Sequence, residues 1–368
     1  MNFDFSDDQN QLRAEIRKFL EARCPVNAVR SVLDDPSVHY QRDLWAMLVE
    51  QGWTAFTLPE AYGGLAMGRI DLCVLAEELG RVLAPVPYAS TVYILAEALM
   101  LAGSEAQKQR LLGIADGSCI GCLAVAEGPG ELSAARITAS VTGNRLSGVK
   151  LPVIDGMAAT TALVAAQADG DTRLFLVDLA DDGVSRKAIP SLDPSRDLAQ
   201  LNFDGVKCDE IGETGLLDHL LDRAAVYLAF EQIGGADRCL EQAVDYAGMR
   251  YAFGRPIGSQ QAIKHKLANM YANNQIARSN AYYGAWALES APDRLPEAAA
   301  AARVSACDAY WYAARETIHV HGGIGFTWEA DQHLYYRRAL QLGMMIGSSP
   351  TWRERLVVAL EALPVEGI

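Results

Sequence analysis

Arg250-Tyr251-Ala252-Phe253-Gly254-Arg255-Pro256-Ile257-Gly258-Ser259-Gln260-Gln261 is the stretch that decides the fold. Before it, Leu217, Leu220, Leu221, Ala224 and Leu228 recur at helical spacing; after it, a second helical run covers 262–271. Between the two lies a tight turn built on Phe253-Gly254 and Pro256-Ile257-Gly258. The turn places two arginines, an aromatic ring and two glutamines at the mouth of a helix pair. A guanidinium offers a planar fork of donors suited to phosphate, and a glutamine amide can bond an adenine edge or a ribose. Taken on its residues alone, the plainer reading is a surface αα-hairpin with ordinary polar caps.

The stretch resembles the R-x-x-F-G-x-P-I-x-x-x-Q signature of the acyl-CoA dehydrogenase family. A second segment, His319-Val320-His321-Gly322-Gly323-Ile324-Gly325-Phe326, is similar to that family's Q-x-x-G-G-x-G-F. The motifs stand in the family's order, and the resemblance runs over nearly the whole chain. It implies FAD as cofactor, an acyl-CoA thioester as substrate and electron-transfer flavoprotein as redox partner. Family members take a proton from the thioester's α carbon and a hydride from its β carbon. That chemistry needs a carboxylate base held close to the proton and donors on the thioester oxygen.

By the same resemblance Arg250 meets the flavin pyrophosphate, Phe253 packs beside it and Gln261 reaches the nucleotide. Gly322 and Gly323 match glycines that let a dinucleotide approach the backbone. His319 stands where the family has glutamine; an imidazole replaces one amide hydrogen bond but not both. By itself His319 reads as a polar residue at a helix end. In the family these groups act on the FAD held mainly by a neighbouring subunit.

Composition narrows the class. The 368 residues allow two or three domains, and 50% are apolar, which excludes a disordered chain. A net charge of −14 argues against a nucleic-acid partner. Residues 1–11 are polar and acidic, and no apolar run approaches membrane-spanning length, so the expectation is an unexported, cytoplasmic protein with no membrane partner. Seven cysteines in a long chain suit a reducing compartment. Cys119-Ile120-Gly121-Cys122 has redox or metal spacing, but it lies in an apolar, strand-like run without a second pair. A buried structural role is the better reading, and no metal site is expected.

In order, Ser6 opens a helix with Asp7 and Asp8 in its first turn and Leu12, Ile16, Phe19 and Leu20 as its buried face. Helices are also expected at 44–51, 71–79, 92–102 and 105–114, and Pro59-Glu60-Ala61-Tyr62-Gly63-Gly64 resembles the family's P-E-x-Y-G-G loop. Strands are expected at 120–125, 138–141, 161–166, 174–177 and 201–203, with turns at Gly143-Asn144, Ala168-Asp169-Gly170 and Asp181-Asp182-Gly183. They suggest a small antiparallel barrel or sandwich. Helices at 217–251, 259–288, 295–321 and 329–360 suit an antiparallel bundle. The expected fold is α+β and acyl-CoA dehydrogenase-like: a helical domain over 1–118, a middle β-barrel over 119–215 and a four-helix bundle over 216–368.

The catalytic base is missing from both positions that the resemblance marks. Met345-Ile346-Gly347-Ser348-Ser349 aligns with a Y-E-G-T-S-like segment, and Ile346 occupies the glutamate position. The other family position, on the helix before Arg250, falls on Ala224 with Ala225 beside it. Asp222 and Glu231 are nearby carboxylates and read as helix-surface or end-pairing groups; either could serve as a displaced base. The flavin-facing segments are altered too. The family's T-E-P-x-x-G-S-D loop appears as Ala126-Glu127-Gly128-Pro129-Gly130-Glu131-Leu132, and its K-x-W-I-T as Lys150-Leu151-Pro152-Val153-Ile154. A half-site for a neighbour's nucleotide is nearly intact, while the half serving the chain's own flavin has decayed. That asymmetry is similar to acyl-CoA dehydrogenases acting on steroid side chains, which pair two base-bearing with two base-less subunits. An active homo-oligomer with a displaced base, and a non-redox structural or binding homologue, stay open.

Overall fold

The structure is a computed structural model describing residues 5–130, 132 and 136–362; Glu131, in the loop compared above, lies outside the described residues. Helices α1 (Asp7–Arg23), α2 (Val26–Leu33), α3 (Arg42–Glu50) and α4 (Arg69–Arg81) come first. A π-helical stretch, Ala89–Ala96, leads into α5 (Glu97–Ala102), α6 (Glu105–Lys108) and α7 (Arg110–Ala115). Strands β1 (Gly121–Ala124), β2 (Ser140–Thr142), β3 (Arg145–Ile154), β4 (Thr161–Ala168), β5 (Asp171–Asp178), β6 (Val184–Ala188) and β7 (Leu198–Ile211) follow. Then come α8 (Leu216–Met249), the two-residue strands β8 (Tyr251–Ala252) and β9 (Arg255–Pro256), α9 (Gln261–Ser290), α10 (Leu295–His321), α11 (Gln332–Met344) and α12 (Ser349–Glu361). No helix is long and apolar enough to cross a membrane, among the described residues. The chain divides into two compact units: Met1–Val26 with Arg69–Ala84 and Ala225–Ile368, and Asn27–Gly68 with Pro85–Ala224.

The first unit is helical. Its α1 starts in a capping box: Ser6 Oγ accepts from Gln9 N at 3.2 Å and the Gln9 side chain accepts from Ser6 N at 3.0 Å. Small residues set how closely the bundle packs. A Cβ on Gly80 of α4 would lie 1.8 Å from the Glu231 carbonyl oxygen of α8, and one on Gly234 would lie 1.8 Å from that of Glu77. The two helices therefore cross backbone to backbone. Ion pairs form beside this crossing around the buried Glu77 and Arg81. Arg278 of α9 donates to both oxygens of Glu77, at 2.9 and 3.0 Å, and to Asp237 at 2.5 Å. Arg81 grips Glu241 in the same bidentate way, at 2.9 and 2.8 Å. Along α10, Ala298, Ala299, Ala302, Ala306, Ala309 and Ala313 are buried and keep its surface thin.

The bundle departs from expectation in its last member. The helix expected over 329–360 is two, α11 and α12, with a break at 345–348. Gly347 takes a positive φ of 107° there, which an uninterrupted helix does not allow. The break is tied down from both sides. Trp352 Nε1 donates to the Ile346 carbonyl at 3.1 Å, and the buried Arg303 guanidinium donates to the Leu342 carbonyl. A cation on the last carbonyls of α11 also opposes that helix's dipole.

The second unit carries the sheet. Strand pairing runs β4–β5–β7–β3–β2 and back to β4, so the sheet closes on itself, with β1 added on β4 and β6 on β7. The expected antiparallel pattern needs a correction: β1 pairs β4 in parallel, and β2 meets β4 through one parallel pair, Ser140 with Gln167. Asp169 and Gly170, with φ of 52° and 91°, make the two-residue turn between β4 and β5. The sequence reading missed α2, β3 and β6. In β3, Gly148 and Pro152 break the strand signal, and the ladder itself shifts register at both places. β6 is exposed along nearly its whole length and lacks the alternation that marks a strand.

Candidate functional site

Three helix ends of the first unit meet at one end of the bundle. Tyr246, in the last turns of α8, stacks on His321 at the end of α10 with ring centroids 4.2 Å apart. Near the start of α9, Lys266 pairs with Glu316 of α10. The C-termini of α8 and α10 and the N-terminus of α9 therefore share that end. It carries all six residues singled out above: Arg250, Phe253, Gln261, His319, Gly322 and Gly323.

Their side chains turn outward. Arg250 follows the last residue of α8; its carbonyl accepts from Ile257 N at 2.8 Å, closing the β8–β9 ribbon. Its guanidinium is exposed and has no partner among the described residues. Phe253 sits at the ribbon's tip with φ of 54° and 99% exposure. Its neighbour Arg255 is held by Gln260 Oε1 at 2.6 Å. Gln261 opens α9 and is exposed. Gly322 has φ of 63°, and a Cβ added to Gly322 or Gly323 would meet nothing within 4 Å. Ile324, Phe326 and Trp328 beyond them are exposed apolar groups. A free guanidinium, a bare aromatic ring and open glycine backbone fit an anionic, aromatic ligand that most of this chain does not enclose. The donor set suits the pyrophosphate and adenosine of FAD.

His319 is half exposed and anchored from behind, its Nδ1 lying 3.3 Å from Glu316 Oε2. Glu316 also accepts from Lys266 and, on its other oxygen, from Arg315 at 3.0 Å. Burial pushes the Glu316 carboxyl up, but hydrogen bonds from Lys266 and His319 outweigh it and hold the group below the usual carboxylate range. The sequence reading missed Glu316; its place three residues before His319 on one helix was the available signal.

In the second unit the altered loop and strand come together. Leu151 N donates to the Ala126 carbonyl and Gly128 N to the Leu151 carbonyl, both at 2.9 Å, so Glu127 pairs with Leu151 of β3 in parallel. Glu127 is the knot of this contact. It accepts from Lys150 Nζ at 2.6 Å, from Thr138 N at 2.7 Å, from Thr138 Oγ1 at 2.5 Å and from Ala139 N at 2.9 Å. Burial raises its pKa, but these donors prevail and hold it at about 2. Lys150 is buried and bonded to Glu127 and to the Val125 carbonyl. Around the knot the surfaces offered by Ala126, Pro152 and Ile154 carry no side-chain hydrogen-bonding group.

The base positions hold none either. Ile346 is 2% exposed in the α11–α12 break, and Ala224 is buried. Asp222 and Glu231, expected at the helix surface or paired at its ends, are both buried. Glu231 lies 4.0 Å from the buried Arg338, inside the helical packing. All seven cysteines are free; Cys122 is buried and Cys119 half-buried, its Sγ 3.6 Å from Thr161 Oγ1.

The profile described as acyl-CoA dehydrogenase, N-terminal domain, matches residues 6–118, and that described as acyl-CoA dehydrogenase, C-terminal domain, matches residues 215–360. Acyl-CoA dehydrogenase IpdE2 of Mycobacterium tuberculosis is 34% identical over 336 residues, covering 90% of this chain and 91% of the relative. Among solved structures, a variant of the Tcur3481-Tcur3483 steroid ACAD superposes with a TM-score of 0.88 at 31% identity, over 96% of this chain and 98% of the other. The ChsE4-ChsE5 complex from Mycobacterium tuberculosis gives 0.90 at 28% identity, over 99% and 100%.

Proposed function

Given that this chain belongs to the acyl-CoA dehydrogenase family, we propose that it is the base-less subunit of a heteromeric, FAD-dependent member acting on an acyl-CoA of the steroid side-chain class. The observation that carries this reading is the asymmetry between outward, unpartnered nucleotide-type groups at Arg250 and apolar filling at Ile346, Ala126, Pro152 and Ile154. Likeness to a steroid ACAD and to the two-protein ChsE4-ChsE5 complex supports it. FAD, when bound, supplies the hydride acceptor. Arg250 would hold the pyrophosphate, Phe253 would cover its flank, and Gln261 and His319 would take polar groups of the adenosine side. A base-bearing sibling, two copies of each chain, would contribute the ring pocket and the proton acceptor, and electron-transfer flavoprotein would reoxidise the pair. In this reading the working divisions are 1–118, 119–215 and 216–368, in a cytoplasmic protein.

The displaced-base alternative gains little from the packing. Glu231 faces a buried guanidinium, and a carboxylate so placed is a poor proton acceptor. The test is co-purification from the native source with a count of FAD per chain. One FAD per pair of unlike chains, with turnover only in the pair, is expected. A flavin-loaded homo-oligomer active on acyl-CoA thioesters and silenced by Asp222→Asn or Glu231→Gln overturns the reading.

A further inference from the structure

We propose that Glu316 is a positioning residue which locks the His319 ring so that it offers the flavin nucleotide a hydrogen-bond acceptor at Nε2. This rests on the reading above, that the Arg250 end of the bundle meets FAD.

Glu316 accepts from Lys266 and Arg315 while it faces His319 Nδ1 at 3.3 Å. A carboxylate held by two cations is ionised at neutral pH and has no hydrogen to give. Any hydrogen bond between the two side chains therefore places the proton on Nδ1. In a neutral imidazole the other nitrogen is then a bare lone pair. The His319 side chain is 52% exposed, and Nε2 has no partner among the described residues, so the lone pair faces outward.

An outward acceptor chooses its ligand group. It repels a pyrophosphate oxygen, which is an acceptor too, and it takes a hydroxyl or an exocyclic amine. Within FAD those donors are the ribose and ribityl hydroxyls and the adenine amino group. The glutamine of the resembled motif offers both an acceptor and a donor; His319 with Glu316 behind it keeps only the acceptor. Recognition at this end is thereby split, with Arg250 on phosphate and His319 on a hydroxyl or amine.

Two measurements test this. Nitrogen-15 NMR of the histidine-labelled full chain, with the His319 signals found by their loss in His319→Gln, should show a protonated Nδ1 and an unprotonated Nε2. Glu316→Gln should move those signals toward a mixture of tautomers. An Nε2–H form in the parent chain overturns the inference and leaves the reading of the bundle end standing. The second measurement is FAD retention in the complex with its base-bearing sibling. Glu316→Gln should weaken retention by about threefold to tenfold when residue 319 is histidine. In a His319→Gln background it should change nothing, because an amide has no tautomer to fix. Equal losses in both backgrounds make Glu316 merely structural and overturn the inference. If Arg250→Ala and His319→Gln both leave retention unchanged, the reading of the bundle end falls and takes the inference with it.

Discussion

At the Arg250 end of the bundle, polar groups point away from the chain; in the loop and strand around Glu127 and Lys150, they point into it. Arg250, Phe253 and Gln261 are exposed, and the guanidinium has no partner among the described residues. Glu127 accepts four hydrogen bonds and Lys150 is buried on it. Both regions lie on segments that resemble flavin-contacting motifs, so motif content alone does not separate them. Saturation of the donors does. A surface prepared for a ligand leaves donors unsatisfied until the ligand arrives. On the proposed reading, the Glu127 region is a surface withdrawn from ligand chemistry: its donors are satisfied within the fold, around Ala126, Pro152 and Ile154.

The comparison is broken most directly by activity. The purified single chain with FAD and a panel of acyl-CoA thioesters should give no turnover, and Ile346→Glu should not create any. A well-placed general base contributes roughly 100-fold to 10,000-fold, but it needs a ring pocket to act on. Turnover by the single chain in a steady-state assay sinks the contrast. Next in size is the distinction between inward and outward charge. Glu77→Ala removes one of the two carboxylates that hold the half-buried Arg278, leaving Asp237, and should cost about 1.5–3 kcal/mol in urea unfolding. Arg250→Ala should leave the unfolding curve in place but weaken FAD retention by the complex by about 1.5–3 kcal/mol. Retention equal to the parent's at the same salt removes Arg250 from the site.

Acid unfolding sharpens the inward side. The folded pKa of Glu127 is depressed to about 2, so its contribution is complete above the usual glutamate pKa of about 4.3 and is lost as pH falls toward 2. Glu127→Gln should therefore flatten the fall in stability over that window, and a variant whose acid profile matches the parent's rules the pair out as a contributor. The smallest effect belongs to Gly323. A methyl there meets nothing in the chain, so Gly323→Ala should shift stability by less than about 0.5 kcal/mol while still lowering flavin retention. A large loss of stability would show that this backbone packs inward after all.

Much of this was legible in the sequence because it rests on local rules. The periodicity of Leu217, Leu220, Leu221, Ala224 and Leu228 predicts α8, and the turn residues after it predict the hairpin before α9. The α11–α12 break was hidden because Met344, Met345 and Ile346 sustain a helical pattern; tertiary hydrogen bonds from Arg303 and Trp352 hold the break. β3 was hidden because Pro152 and Gly148 sit where its ladder slips, and a slip is a property of the paired strand. At the site, exposed groups were readable one at a time. The inward groups were not: nothing in the order of residues says that Lys150 closes on Glu127, or that Glu231 faces Arg338.

The crossing of α4 and α8 bears on how this chain tolerates change. Gly80 and Gly234 each face a backbone carbonyl, at a distance no side-chain rearrangement can open. Neither position can be rescued by a compensating substitution in its partner, since the obstacle is main chain. In a saturation mutagenesis library, both glycines should therefore appear as isolated intolerant sites with no second-site suppressor. Their intolerance would record the distance between two helix axes, and reading it as a sign of chemistry would be a mistake.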